Sequence, residues 1–221
     1  MTTLRRRTAK CSVCGETSMH TVMLSSNSFG GGPDLDLRPA LMIRNTMRAW
    51  IQRCPHCGYC APKISDESGI SSEFLESEKY LSCNGLQFRS ELAKTFFRYH
   101  LICLELNAPE KALKPALEAA WVCDDRYDAV NAVLCRLACL SCMKPATEET
   151  DMNVLLKRAD IMRRAGLFDA VIRLYSEVKA EEPLHQQIID FHILKSKEKD
   201  ADCYTVKEAV AFMENKNQPA E

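Results

Sequence analysis

The chain has 221 residues, 46% of them apolar and 27% charged, with a formal net charge of −1. These are ordinary values for a globular protein and leave room for one large domain or two small ones. No apolar run is long enough to span a bilayer, and the basic start MTTLRRRTAK lacks the apolar stretch of a secretory signal. The twelve cysteines are too many to ignore and too widely spread for a short disulfide scaffold. A reducing, cytoplasmic setting is therefore expected, where paired cysteines bind metal and buried ones act as small hydrophobes.

Charge is unevenly distributed. Residues 1–63 hold nine Lys/Arg against three Asp/Glu, and the remainder holds 20 against 27. A basic head on an acidic body allows nucleic-acid contact through Arg5, Arg6, Arg7 and Lys10, with Arg44, Arg48 and Arg53 behind them. The competing reading is that these charges only solvate a small domain and orient it against its own acidic body.

In chain order, Thr21–Leu24 and Leu41–Ile43 are predicted strands, separated by the loop SSNSFGGGPDLDLRP. Arg48–Arg53 is a third predicted strand. From about residue 69 the pattern turns helical. Ser71-Ser72-Glu73 precedes a helix to Leu81, and Leu86–Leu106 carries apolar residues at three- and four-residue steps. Asn107-Ala108-Pro109 breaks it. Further helices are predicted over 110–123, with a restart at Pro115, and over 127–143, 151–165, 167–181 and 184–197. Thr205-Val206-Lys207-Glu208 is a capping box that opens a last helix. Leu155, Ala159 and Met162 followed by Gly166, Phe168, Tyr175 and Pro183 resemble a tetratricopeptide repeat in spacing. Val171 departs from it, standing where a small residue is usual. The expected fold is α+β, mainly α, with a zinc-ribbon-like β head over 1–65 and a helical-hairpin, tetratricopeptide-like body over 66–221.

The strongest chemical signal is the pair Cys11-Ser-Val-Cys14-Gly15 and Cys54-Pro-His-Cys57-Gly58. Two thiolates from one tight turn can point at a single ion, and the Gly allows the left-handed backbone that such a turn needs. Four thiolates give the closed tetrahedral site of a structural Zn2+, with Fe in the same four-cysteine cage as the alternative. The 39 residues between Cys14 and Cys54 make a long insert, which loop entropy tolerates because its cost grows slowly with length. A thioredoxin-type redox role is disfavoured because no βαβ pattern surrounds either pair. His20, His56 and Cys60 are read as bystanders.

Two other clusters compete for attention. Cys135, Cys139 and Cys142 have the spacing of a radical iron–sulfur motif, yet they fall on one face of a helix and are read as core packing. The loop residues Asp34, Asp36 and Arg38 have three open readings. They form a ligand- or partner-binding loop, an acid–base pair, or a structural ion pair in an extended segment with Leu35 and Leu37 on the opposite face. No catalytic constellation is legible elsewhere.

The order C-x-x-C-G (Cys11–Gly15), S-x-x-F-G (Ser26–Gly30), DLDLRP (Asp34–Pro39) and C-P-x-C-G-Y (Cys54–Tyr59) resembles a bacterial family of uncharacterised proteins, a domain of unknown function. Ala119-Ala120-Trp121 with Asp124-Asp125 is similar to that family's helical part. The resemblance covers most of residues 8–180. It implies a cytoplasmic bacterial protein with a zinc-ribbon-like head and a tetratricopeptide-like body, and it implies no activity. The expected role is that of a non-enzymatic zinc-binding adaptor that holds a protein partner through its helical body, with no membrane contact. Nucleic-acid binding or thiol-redox sensing by the basic, Cys-rich head is the alternative.

Overall fold

A computed structural model describes residues 2–67, 69–147 and 149–217. The fold is α+β and mainly α, and it resolves into two compact units. One comprises Met1–Phe29 and Leu41–Met143, the other Gly30–Ala40 and Lys144–Glu221. The units therefore do not follow the 65/66 boundary expected from composition. The head shares its core with the first helices, and the Gly-rich loop leaves the head to fold with the C-terminal helices.

The first unit opens with an antiparallel hairpin of β1 (Thr3–Lys10) and β2 (Thr17–Ser25), in register from Leu4↔Met23 to Lys10↔Thr17. Strand β1 escaped the sequence reading because TLRRRTAK has no apolar alternation to mark it. It is half of a two-stranded ribbon whose arginines stay in water. Leu41–Ile43, expected as a strand, is instead part of a single helical turn, α1 (Leu41–Arg44). The expected strand over Arg48–Arg53 begins inside a 3-10 turn (Met47–Ala49), and only Gln52–Arg53 forms a strand, β3, paired with β4 (Cys60–Ala61).

The helix expected to Leu81 is two short ones, α2 (Ser72–Glu76) and α3 (Glu78–Leu81). Ser77 interrupts them in an extended conformation, and its hydroxyl accepts from the Tyr80 N–H as the cap of the second. Helix α4 (Glu91–Glu105) begins later than Leu86 because Ser90 caps it, accepting from the Leu92 N–H at 3.2 Å. Helix α5 (Pro109–Asp124) starts on a proline and runs through Pro115 without a restart. Pro115 lacks an N–H for the ladder, but Ala112, Ala116, Ala119 and Ala120 are fully buried around it, and tertiary packing outweighs the missing bond. Helix α6 (Ala129–Cys142) is capped by Asp128. Its Arg136 forks onto Asp124 of α5, with Nη1 donating to Oδ1 at 3.0 Å.

The second unit contains α7 (Met152–Arg164), α8 (Phe168–Tyr175), α9 (Pro183–Lys197) and α10 (Val206–Asn217). Gly166, at φ +78°, lets the chain reverse after α7. The α7–α8 hairpin forms as the repeat-like spacing predicts, though α8 stops at Tyr175, well short of 181. Val171 is fully buried. The capping box at α10 is present, with the Thr205 N–H donating to Glu208 Oε2 at 2.7 Å and the Glu208 N–H to Thr205 Oγ1 at 3.2 Å.

Candidate metal centre

Both C-x-x-C-G units are the tips of β-hairpins, and they are built alike. In the first, the Cys11 N–H donates to the Glu16 carbonyl at 2.8 Å and the Gly15 N–H to the Cys11 carbonyl at 3.0 Å. In the second, the Cys54 N–H donates to the Tyr59 carbonyl at 2.8 Å and the Gly58 N–H to the Cys54 carbonyl at 3.0 Å. Gly15 and Gly58 stand at φ +75° and +79°. In this left-handed conformation a side chain is strained. Each tip thus turns its two sulfurs inward.

The tips face one another. Cys11 Sγ lies 3.7 Å from Cys57 Sγ, and Cys14 Sγ lies 3.6 Å from Cys54 Sγ. All four sulfurs are within 4.8 Å of one another. A tetrahedral ion with metal–sulfur bonds of about 2.3 Å has sulfur–sulfur edges of about 3.8 Å, so the four cysteines fit such an ion and can hold it. Cys11 and Cys54 are buried, Cys57 is half-buried and Cys14 stands at the rim. Burial, assisted by neighbouring thiols, raises the Cys57 thiol above its ordinary range, and burial raises Cys54 as well. At Cys14 burial opposes ionisation, but the Glu16 N–H and the neighbouring thiols outweigh it and lower that thiol. A bound cation favours the thiolate at all four.

The centre is anchored from below by helices. Cys11, Cys54, Tyr59, Cys60 and Ile64 share a buried cluster with Phe74, Leu75, Tyr80 and Ile102. The Ser12 N–H donates to the Ile64 carbonyl at 2.8 Å, tying the first tip to the chain after β4. The Tyr80 hydroxyl donates to the Gly58 carbonyl at 2.7 Å, bracing the second tip from α3. Sequence reading missed Tyr80, because no local pattern connects a helical tyrosine with a turn 22 residues upstream.

The neighbours read as bystanders stay outside the cage. His20 Nε2 is 2.8 Å from Ser18 Oγ on β2, and His56 is exposed. Cys60 is fully buried, takes a contact from the Tyr80 hydroxyl at 3.6 Å, and burial pushes its thiol up to about 12. It is a core thiol. Cys135 and Cys139 are buried along α6, with Cys142 half-buried at its end. Among the described residues the only group of three or more His, Cys, Asp or Glu side chains close enough to share a metal ion is Cys11, Cys14, Cys54 and Cys57.

The remaining candidates separate by unit. Arg5, Arg6, Arg7 and Lys10 lie on β1 with their side chains exposed. Strand alternation puts Arg5 and Arg7 on one face of the ribbon, and Arg6 and Lys10 on the other. Asp34, Asp36 and Arg38 are all buried in the second unit. The segment is not extended. The Leu37 N–H donates to the Asp34 carbonyl and the Asp34 N–H to the Arg38 carbonyl, a turn that places Leu37 at φ +67° and half exposes it. Leu35 and Leu37 therefore do not share a buried face. Arg164 Nη1 of α7 donates to Asp36 Oδ2 at 3.2 Å, and the Cys203 thiol to Asp34 Oδ2 at 3.3 Å. The Leu35 N–H donates to the Tyr204 carbonyl at 2.9 Å, stitching the loop to the chain before α10.

No helix among the described residues is long and apolar enough to cross a membrane. Comparison of the chain with protein-family models, with curated proteins and with solved structures gives no match.

Proposed function

We propose that this chain is a non-enzymatic, zinc-binding interaction protein, in which the ion is structural and the helical body receives a protein partner. The observation that carries the reading is the closed sulfur cage. Four protein sulfurs fill a tetrahedral ion's coordination, so no position is left for water or substrate, as a catalytic zinc requires. The same ion would cross-link two hairpin tips that carry few large apolar residues of their own, which is the usual work of a structural zinc. Asp34 and Asp36 support the non-enzymatic reading, since both are buried and Asp36 is paired to Arg164. The resemblance of the Cys11–Gly15, Asp34–Pro39 and Cys54–Tyr59 motifs to the bacterial domain of unknown function supports placing the chain with that family, in the cytoplasm.

Elemental analysis of the purified protein with an absorption spectrum tests the assignment. One colourless Zn2+ per chain is expected, lost in a C11S/C54S double variant whose first unit then unfolds. Iron with visible charge-transfer bands would replace the structural reading with electron transfer. Replacing Cys135, Cys139 and Cys142 by Ala is expected to lower stability and leave the metal content unchanged.

A further inference from the structure

In the first unit, away from the sulfur cage, three arginines meet around one cleft of about 240 Å3. Arg44 and Arg48 come from α1 and the 3-10 turn after it, and Arg126 comes from the turn that follows α5. Ser90 and Leu92, at the capped N-terminus of the 15-residue α4, form another wall. Asp125 is the single acidic residue lining it. Among the described residues, the side chains of Arg48 and Arg126 have no hydrogen-bond or ion-pair partner. Two guanidinium groups are thus left available beside the positive end of a helix dipole. Guanidinium forks match the oxygens of a phosphate better than any other side chain does.

The cleft does not end there. Asn45 and Arg48 also line a second hollow of about 340 Å3 with Thr2, Leu4, Met42 and Thr46, and it has no acidic lining residue. Thr2 and Leu4 lead directly into the exposed Arg5-Arg6-Arg7 of β1. A series of cations at successive positions suits a repeating anion rather than a single one.

We propose that the Arg44–Arg48–Arg126 cleft holds one phosphate of a nucleic-acid strand, whose backbone continues past Leu4 along β1. This goes beyond the adaptor reading and is independent of which metal fills the cage. Arg126 is the discriminating residue. It lies far beyond β1 in the sequence, and general attraction to the basic ribbon gives it no special part.

The test is anisotropy of a labelled single-stranded oligonucleotide with the intact metal-loaded protein. Binding at low salt is expected, with the logarithm of affinity falling linearly against the logarithm of salt concentration. Arg126→Gln and Arg48→Gln are each expected to weaken binding about tenfold and to flatten the salt slope by about one. Arg173→Gln, on exposed α8 surface in the other unit, is expected to leave binding unchanged. Metal content and circular dichroism of each variant establish that it is folded. Three results would each overturn the proposal: no binding at low salt, binding that Arg126→Gln leaves intact, or equal binding to vesicles containing phosphatidic acid.

Discussion

Gly58 carries more of the metal site than its size implies. Its left-handed backbone closes the second tip, its N–H donates to the Cys54 carbonyl, and its own carbonyl receives the Tyr80 hydroxyl. A Cβ added there would meet no atom within 4 Å. Any cost of Gly58→Ala is therefore conformational and not steric, about 1–2 kcal/mol. The variant is expected to keep its metal at saturation, to melt lower and to lose metal faster to a chelator. An unchanged melting temperature would mean that the tip adopts another turn. The two glycines could be singled out from sequence because C-x-x-C-G is a local pattern whose chemistry is complete within five residues. Tyr80 and Arg164 could not, because their partners are fixed by packing across the chain.

At the scale of elements, the end of α7 ties several segments of the second unit together. Arg163 is fully buried and donates to Asp160 Oδ1 at 2.7 Å, the Asp200 carbonyl at 2.7 Å and the Asp202 carbonyl at 2.8 Å. One guanidinium thereby fixes the connection from α9 to α10, while the next residue, Arg164, holds Asp36 of the Gly-rich loop. Removing a partner from a buried ionic set leaves uncompensated charge and unpaired carbonyls. Arg163→Ala is expected to destabilise the unit by about 3–5 kcal/mol, read as a shifted denaturant midpoint. A shift below about 1 kcal/mol, the scale of an exposed pair, would show that water replaces the guanidinium. Apolar steps of three and four residues identified α4, and the capping box Thr205–Glu208 identified α10. Periodicity misplaced boundaries where a single hydroxyl decides them, as at Ser77 and Ser90, and it missed β1, which keeps its arginines in water on both faces.

At the scale of the whole molecule, acid is expected to act on the two units by different routes. In the first, metal binding requires deprotonated thiols, so acid releases the ion. In the second, His192 is fully buried on α9, with Nδ1 4.0 Å from Asp160 Oδ1, and burial followed by the Arg163 charge lowers its pKa from 6.5 to about 3. The folded unit keeps this imidazole neutral, and the unfolded chain takes up a proton below 6.5. Its contribution to stability is therefore fully present above pH 6.5 and is lost as the pH falls toward about 3. Hydrogen exchange across this range is expected to show α9 losing protection with falling pH even when zinc is held in excess. In His192→Gln the histidine's part of that slope should vanish. An identical slope in the variant would assign the acid sensitivity to other groups.

The sequence by itself determined the four cysteines that can share a metal ion, the mainly helical body and the capping box before α10. Each is a short-range pattern whose physical requirement, a turn, a stripe or a cap, is met by neighbouring residues. Only the tertiary structure decided where the units divide, which buried arginine Asp36, Asp124 and Asp160 meet, and that Arg126 lines one cleft with Arg44 and Arg48. Those outcomes depend on which distant surfaces bury together. The head carries too little apolar area to close a core alone, so it takes Phe74, Leu75, Tyr80 and Ile102 from the helices. The Gly-rich loop, whose polar groups find their partners at Arg164, Cys203 and Tyr204, folds with the other unit.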